Sequence, residues 1–399
     1  MERNLRNGSW GKYLLEILAV STRLGLTSFG GPAAHLAYFH DEYVKRRKWL
    51  DERSYADLIA LCQFLPGPAS SQAGIGIGIM RAGLLGGLLA FIGFTLPSVL
   101  IMASFALVME GLDVSRAGWI HGLKLVAVAI VAQAVWGMGQ KLAPDRSRAT
   151  VAIGAAAAVL LWQTPVSQIA VIMAAALLGW LFYKEARPSE LPYTTVPVSK
   201  TTAAVCLSLF FGLLVLLPAA AEITGSKWLE LYDIFYRSGS LVFGGGHVVL
   251  PLLERELVPS GVVSGEAFLA GYGAAQAVPG PLFTFASYLG AIAGGWQGAI
   301  VATAAIFTPA FLLVVGALPF WDCLRRVPSI QGVLHGVNAA VVGILLAALY
   351  DPIWTSSVAS PADFALAAVL FIGLVFWKLP PWIIVAAGTI SGSLITVYL

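Results

Sequence analysis

"QFLPGP" at 63–68 and "QAVPGP" at 276–281 write the same Pro-Gly-Pro twice in a chain whose long stretches are otherwise apolar. Two prolines around a glycine remove two backbone donors and disfavour helix at the residue before each proline. The spacing therefore predicts helices that end at Leu65 and Val278 and restart at Ala69 and Leu282. In hydrocarbon, such a break persists only where protein or a water-filled cavity satisfies the freed main chain.

Composition places these breaks in a membrane. Of 399 residues, 58% are hydrophobic and 11% are charged, against roughly 25% charged in soluble domains. Apolar runs long enough for a ~30 Å hydrocarbon core recur from residue 84 onward, which predicts an all-α polytopic membrane protein with the lipid bilayer as its solvent. The net charge of +3 sits in loops, so it bears on membrane orientation and not on a nucleic-acid partner. Cys62, Cys206 and Cys323 share no metal-ligand or disulfide-framework spacing. No GxxxxGK[ST] phosphate loop, HExxH or pair of buried aspartates occurs, so neither a cofactor nor a membrane enzyme is expected. Glu16 and Arg23 lie inside the first apolar stretch, which argues for a retained segment and against a cleaved signal.

The Pro-Gly-Pro pair belongs to a tandem duplication. "EILAVSTRLGLTSFGGP" (16–32) aligns with "ELYDIFYRSGSLVFGGG" (230–246), pairing Glu16 with Glu230, Arg23 with Arg237 and Phe29-Gly30-Gly31 with Phe243-Gly244-Gly245. Gln63 then pairs with Gln276, "TLP" (95–97) with "FTP" (307–309), "HGLK" (121–124) with "HGVN" (335–338) and "WQTP" (162–165) with "WKLP" (377–380). The offset stays between 212 and 215 throughout. The reading is a first repeat over 11–185, a linker with one connecting helix over 186–225, and a second repeat over 226–399.

After its breaks, each copy has four apolar runs, near 84–109, 119–140, 149–163 and 166–183, then near 298–318, 330–350, 362–378 and 381–398. One further run, 203–221, lies between them. An even repeat plus one linking span inverts the second copy, an architecture recurrent among secondary transporters. In that scheme "KRRK" (45–48), "KLAPDRSR" (141–148), "KEAR" (184–187) and "LRR" (324–326) share one face. By the positive-inside rule that face is cytoplasmic, with the N-terminus inside and the C-terminus outside.

Each copy thus carries two breaks, as re-entrant hairpins or as interrupted spans. Glycines at Gly30, Gly31, Gly244 and Gly245 let a ligand approach the main chain. Helices restarting after Pro66-Gly67-Pro68 and Pro279-Gly280-Pro281 point positive dipole ends inward, a setting suited to an anion. Hydroxyls follow at Ser70, Ser71 and Thr284. Packing of kinked, small-residue helices is the competing reading for any single break; the repetition at equivalent places favours a site. Arg23 and Arg237 either offer forked donors to a tetrahedral oxyanion, or snorkel to an interface or tie a hairpin to a carboxylate, with Glu16 and Glu230 two turns away on a similar face. His35, His121, His247 and His335 are proton carriers or plain interhelical donors. Lys124 stands where the second copy has Asn338.

At these residues the sequence resembles the long, two-domain form of the chromate ion transporter family. The resemblance rests on "SFGGPAAHLAYFHDEYV" (28–44) with "QFLPGPASSQ" (63–72), and on "LVFGGGHVVLPLLERELV" (241–258) with "QAVPGPLFTFASYLG" (276–290). It implies export of chromate across a bacterial inner membrane, chromate resistance, and sulfate as a competing analogue. The positions it carries over to the site are Arg23, Gly30, Gly31, Pro66, Gly67 and Pro68 of the first copy and Arg237, Gly244, Gly245, Pro279, Gly280 and Pro281 of the second. The residues themselves add Ser28, Gln63, Ser70, Gln276 and Thr284 as further substrate-binding candidates, with Glu16, Glu230, His247 and Lys124 as coupling or pairing residues. Pro32 departs from the repeat, standing where the second copy has Gly246. Sulfate or another oxyanion, taken up with cations, is the alternative, and a homodimer is compatible with the chain.

Overall fold

A computed structural model describes residues 10–110, 118–162, 164–183, 197–324 and 327–398. "KEAR" (184–187), the last two residues of "LRR" and Gln163 lie outside the described residues. The described residues form helices and no strand. In the first copy α1 (Trp10–Thr27) leads to α2 (Gly31–Phe39), prolonged by a π-helical turn, His40–Arg46, and then to α3 (Glu52–Phe64). Next come α4 (Ala69–Glu110), α5 (Gly118–Leu142), α6 (Arg146–Leu161) and α7 (Pro165–Phe182). The connecting helix α8 (Lys200–Thr224) packs on the second copy, against α9 (Lys227–Leu241) and α12 (Phe285–Ala317). Between those two lie α10 (Val249–Leu257) and α11 (Gly265–Ala275). After the short α13 (Trp321–Leu324), the chain continues through α14 (Pro328–Ala348), the single turn α15 (Thr355–Ser357), α16 (Pro361–Val375) and α17 (Pro381–Tyr398).

Five helical stretches are long and apolar enough to cross a membrane: Ala69–Met109, Gly118–Leu142, Lys200–Thr224, Leu282–Phe320 and Ser329–Ser357. The first and fourth of these are hairpins. Ala82 and Gly83 leave helical geometry in α4, and a Cβ on Gly78 would strike the Gly86 carbonyl across the turn. Gly294 and Gly295 do the same in α12, with Gly290 against Gly298. Both turns need a glycine at positive φ, Gly83 at 71° and Gly295 at 61°. Each hairpin thus has a short first arm and a full-length second arm.

The short arms answer which kind of break the Pro-Gly-Pro makes. Position 76 on the first arm of α4 packs on Leu58 of α3. Likewise Tyr288 packs on Gly271 of α11 and its hydroxyl donates to the Ala267 carbonyl at 2.9 Å. Collinear helices would hold these pairs more than ~20 Å apart. Both breaks are therefore tips of helical hairpins, not gaps in straight spans. Helix α3 ends at Phe64 with Leu65 as its extended cap, as expected. In the second copy, α11 ends at Ala275, three residues before Val278, because Gln276, Ala277 and Val278 donate to carbonyls three residues back and tighten the end.

The two copies exchange helices. Helix α5 packs against α16 and α17 of the second copy, while its counterpart α14 packs against α6 and α7 of the first. Glycines make both contacts close: Gly122 meets Gly388 and Gly392, and Gly179 meets Gly332 and Gly336. His121 Nε2 lies 2.6 Å from Asp363 Oδ1 across the first of these interfaces. Asp363 also accepts the Ala359 and Ser360 backbone N–H groups at 3.0 and 2.9 Å, capping α16. In the loop before α6, Asp145 caps the helix, and the Arg148 backbone N–H and guanidinium hold its carboxyl down at about 2.

Candidate functional site at the crossed breaks

The four breaks meet in pairs, one from each copy. The Gly280 backbone N–H, at the second Pro-Gly-Pro tip, donates to the Ser28 carbonyl at 2.9 Å, just before the first Gly-Gly. In the mirror arrangement the Gly67 N–H donates to the Val242 carbonyl at 2.7 Å, just before the second. Ser28 and Val242 are equivalent, as are Gly280 and Gly67, so one hydrogen bond is made twice. We call them the first and second crossings after the copy that supplies the Gly-Gly.

Only glycine fits these tips. Gly67 and Gly280 have φ of 115° and 100°, a region that side chains other than hydrogen rarely occupy. A Cβ on Gly280 would also collide with Ser98 Oγ, whereas one on Gly67 would meet the Gln72 side-chain amide at 3.0 Å and Ala310 at 3.6 Å. Ser98 and Ala310 are themselves equivalent, each following the proline of the full-length arm. Gly30 and Gly244 are exposed, with φ of 101° and 75°, so the main chain is open beside each crossing. At the second crossing Gly244 is bordered by Met138, Leu142 and Asn338.

Around the first crossing, polar atoms are buried without partners. Ser28 Oγ, both ring nitrogens of His35, Thr95 Oγ1 and Gln276 Nε2 have no hydrogen bond. His35 stands edge-on to Phe94, next to Thr95. Around the second crossing Ser71 Oγ and Gln72 Oε1 are in that condition, while Gln72 Nε2 donates to the Pro66 carbonyl at 2.7 Å. A buried polar group left unsatisfied costs roughly 1–3 kcal/mol, so such a concentration marks a place built for something other than stability.

The arginines are tied. Arg23 pairs with Glu42 at 2.5 Å and Arg237 with Glu256 at 2.9 Å. Glu42 and Glu256 are equivalent residues, each on the helix beyond its Gly-Gly, so each pair clamps the base of a break. Arg237 also binds Asp233 at 2.8 Å. Both guanidiniums are thus tied to carboxylates in the structure. The carboxylates are not those at two turns' distance: Glu16 binds Arg47 and Arg81 instead, and Glu230 is exposed in the first turn of α9. The identical spacing of nineteen residues from Arg to Glu in both copies was the signal that could have found the true partners.

The remaining candidates fall on both sides of the crossings. Ser70 and Pro68 are buried, while Gln63 is exposed. Thr284 spends its hydroxyl on the Pro281 carbonyl at 2.8 Å, within a 3-10 turn, Leu282–Thr284, that replaces the expected α-helical start. His247 Nδ1 is 2.6 Å from the Tyr272 hydroxyl. Lys124 is nearly buried, 4.0 Å from Glu266 of α11, and so faces the outer end of the second Pro-Gly-Pro hairpin. Sequence reasoning missed Ser98 and Thr95, whose roles depend on which tip meets which break.

The described residues are helical, with stretches long and apolar enough to cross a membrane and with paired hairpin tips that cross between two copies, a polytopic build that suits a membrane transporter. The chain belongs to the chromate transporter family: the family model titled "Chromate transporter" matches residues 15–180 and again 229–393. It is 28% identical to a chromate transport protein of Pseudomonas aeruginosa, over 95% of this chain and 92% of that one. A chromate transport protein of Cupriavidus metallidurans is 26% identical over the same shares, 95% and 92%. An uncharacterized transporter of Methanocaldococcus jannaschii is 27% identical over 84% of this chain and 83% of that one. No solved structure matches. The family is one of transporters, not enzymes.

Proposed function

We propose that the chain is a secondary transporter that carries chromate out of the cytoplasm through the two crossings. It would lie in a bacterial inner membrane, with the second repeat inverted, the N-terminus inside and the C-terminus outside. The observation that carries this reading is the doubled hydrogen bond between a Pro-Gly-Pro tip and the opposite Gly-Gly break, set among buried donors without partners. Those donors, Ser28 and Gln276 foremost, suit the oxygens of a tetrahedral dianion. A dianion leaving a cell that is negative inside gains roughly 4.6 kcal/mol at 100 mV, so voltage alone suffices as the driving force.

Sulfate has the same shape and charge, and nothing in the side chains separates the two. Uptake of chromate into everted, energised vesicles tests both readings, because influx there corresponds to export. Uptake that collapses with the membrane potential and is inhibited by sulfate supports an electrophoretic oxyanion exporter. Absent uptake under good energisation, or uptake that needs an opposing cation gradient, refutes it.

A further inference from the structure

We infer that Arg23, Arg46, Arg47 and Arg81 form a capture site for a tetrahedral dianion at the face leading to the first crossing. The inference rests on the transport reading above and adds where the substrate is first held. Salt bridges join these residues into one network: Arg23, Arg46 and Arg47 reach Glu42, while Arg47 and Arg81 reach Glu16. Four guanidiniums thus stand against two carboxylates, a surplus of two positive charges, equal to the charge a dianion would bring. Arg81 is the least satisfied of them. Its nearest carboxylate oxygen is 3.6 Å away and its Nε is buried with no partner. Its guanidinium carbon lies instead over aromatic rings, 4.5 Å from the Tyr13 centroid and 5.1 Å from that of Trp49, which stacks on Tyr43. Ring faces fix a guanidinium while leaving its N–H edge free to grip a carboxylate-like or phosphate-like edge.

Among the described residues the second copy holds no such cluster of arginines. Its corresponding network holds one guanidinium, Arg237, between Asp233 and Glu256. Arg255, beside it, donates to neutral groups, the Val159 and Thr164 carbonyls and Ser167 Oγ, and counting it brings that network only to neutrality. By the repeat offset Arg47 has Gly261 as its counterpart, and Arg81, just before its hairpin turn, has Ala293. Arg23 precedes Ser28 by five residues, about 7 Å along a helix, so a dianion released from the network is delivered to the crossing with the most unpartnered donors. A cationic mouth on one side and a neutral one on the other raises the local anion concentration where transport begins.

Chromate flux at the everted face is measured for the full chain, Arg81→Gln and Arg81→Lys over a range of salt. The capture site requires a KM about tenfold higher in Arg81→Gln, the loss of one charge-assisted bond, with the maximal rate kept and Arg81→Lys between Arg81→Gln and the parent, since lysine keeps the charge but not the fork. It also requires that the parent KM climb with salt more steeply than that of Arg81→Gln. An unchanged KM beside intact flux overturns the site and leaves the transport reading standing. If the parent shows no flux, that reading fails by itself, and binding of radiolabelled sulfate to the chain in phosphatidylcholine nanodiscs decides the site: weaker binding in Arg81→Gln upholds it, equal binding overturns it. If the Arg81→Gln effect disappears when phosphatidylglycerol is present, the arginines hold a lipid phosphate, which overturns capture of a soluble dianion.

Discussion

At the first crossing a serine offers its carbonyl to Gly280, a serine crowds that glycine, and five polar atoms nearby are buried without partners. At the second a valine offers the carbonyl to Gly67, the Gln72 amide and Ala310 line the glycine, and Met138, Leu142 and Asn338 border the exposed Gly244. One backbone design therefore supports two different chemistries. The main chain, which duplication copied, holds the tips; the side chains, which have diverged, place serines at the contact of one crossing and valine and alanine at that of the other.

The sharpest way to break this comparison is to load the tips. Gly280→Ala adds a strained φ, worth about 1–3 kcal/mol, to a collision with Ser98, and is expected to abolish chromate flux. Gly67→Ala carries the same strain against a side-chain amide that can swing away, so measurable flux should remain. Equal flux in the two variants, at matched membrane levels, would show that the crossings are not distinguished in this way. The second largest effect concerns the clamps. Arg237→Gln leaves Asp233 and Glu256 together without their cation and is expected to cost about 2 kcal/mol of stability, below the roughly 3–5 of a fully buried pair. Arg23→Gln leaves Glu42 with Arg46 and Arg47 and should cost under about 1 kcal/mol. Thermal unfolding of both in one detergent reads the difference.

Smaller still is the effect at the exchanged helices. Asp363→Asn weakens three hydrogen bonds, and we expect a loss of about 1–2 kcal/mol in the same unfolding assay. His335 is the counterpart of His121 but meets the Tyr183 ring and no carboxylate among the described residues. His335→Asn should therefore leave the unfolding temperature within error. Finally, Ser28→Ala removes a hydroxyl that has no partner, so it should leave stability level or slightly higher while raising the KM for chromate a fewfold. A drop in stability there would mean that the hydroxyl is satisfied in the resting protein.

Much of this was legible beforehand, for identifiable reasons. The Pro-Gly-Pro and Gly-Gly breaks announce themselves because proline and glycine act on their own backbone, and the duplication follows from their spacing. The apolar runs read from 84 and 298 begin just past the turns at Ala82–Gly83 and Gly294–Gly295, but the turns themselves were not placed, because the residues on both sides of each are small and largely apolar. Glycines repeated eight residues apart, Gly78 with Gly86 and Gly290 with Gly298, were the trace they left. The pairing of each tip with the other copy's break could not be read at all, since it depends on contacts more than 170 residues apart. Charged partners failed for a related cause: helical spacing pointed to Glu16, but the chain reverses after Gly30 and brings Glu42 to Arg23 first.

The exchange of helices between copies also sets a schedule for biosynthesis. Helix α5 is made early, yet the glycine face around Gly122 finds its partner only when Gly388 and Gly392, more than 260 residues later, have left the ribosome. Until then that face has only lipid or a surrogate against it, and the first half cannot lock into its final form. Folding of this chain is thereby made to wait for synthesis of α17, so a nascent chain stalled before that helix would present α5 to the quality-control machinery of the membrane as an unfinished surface.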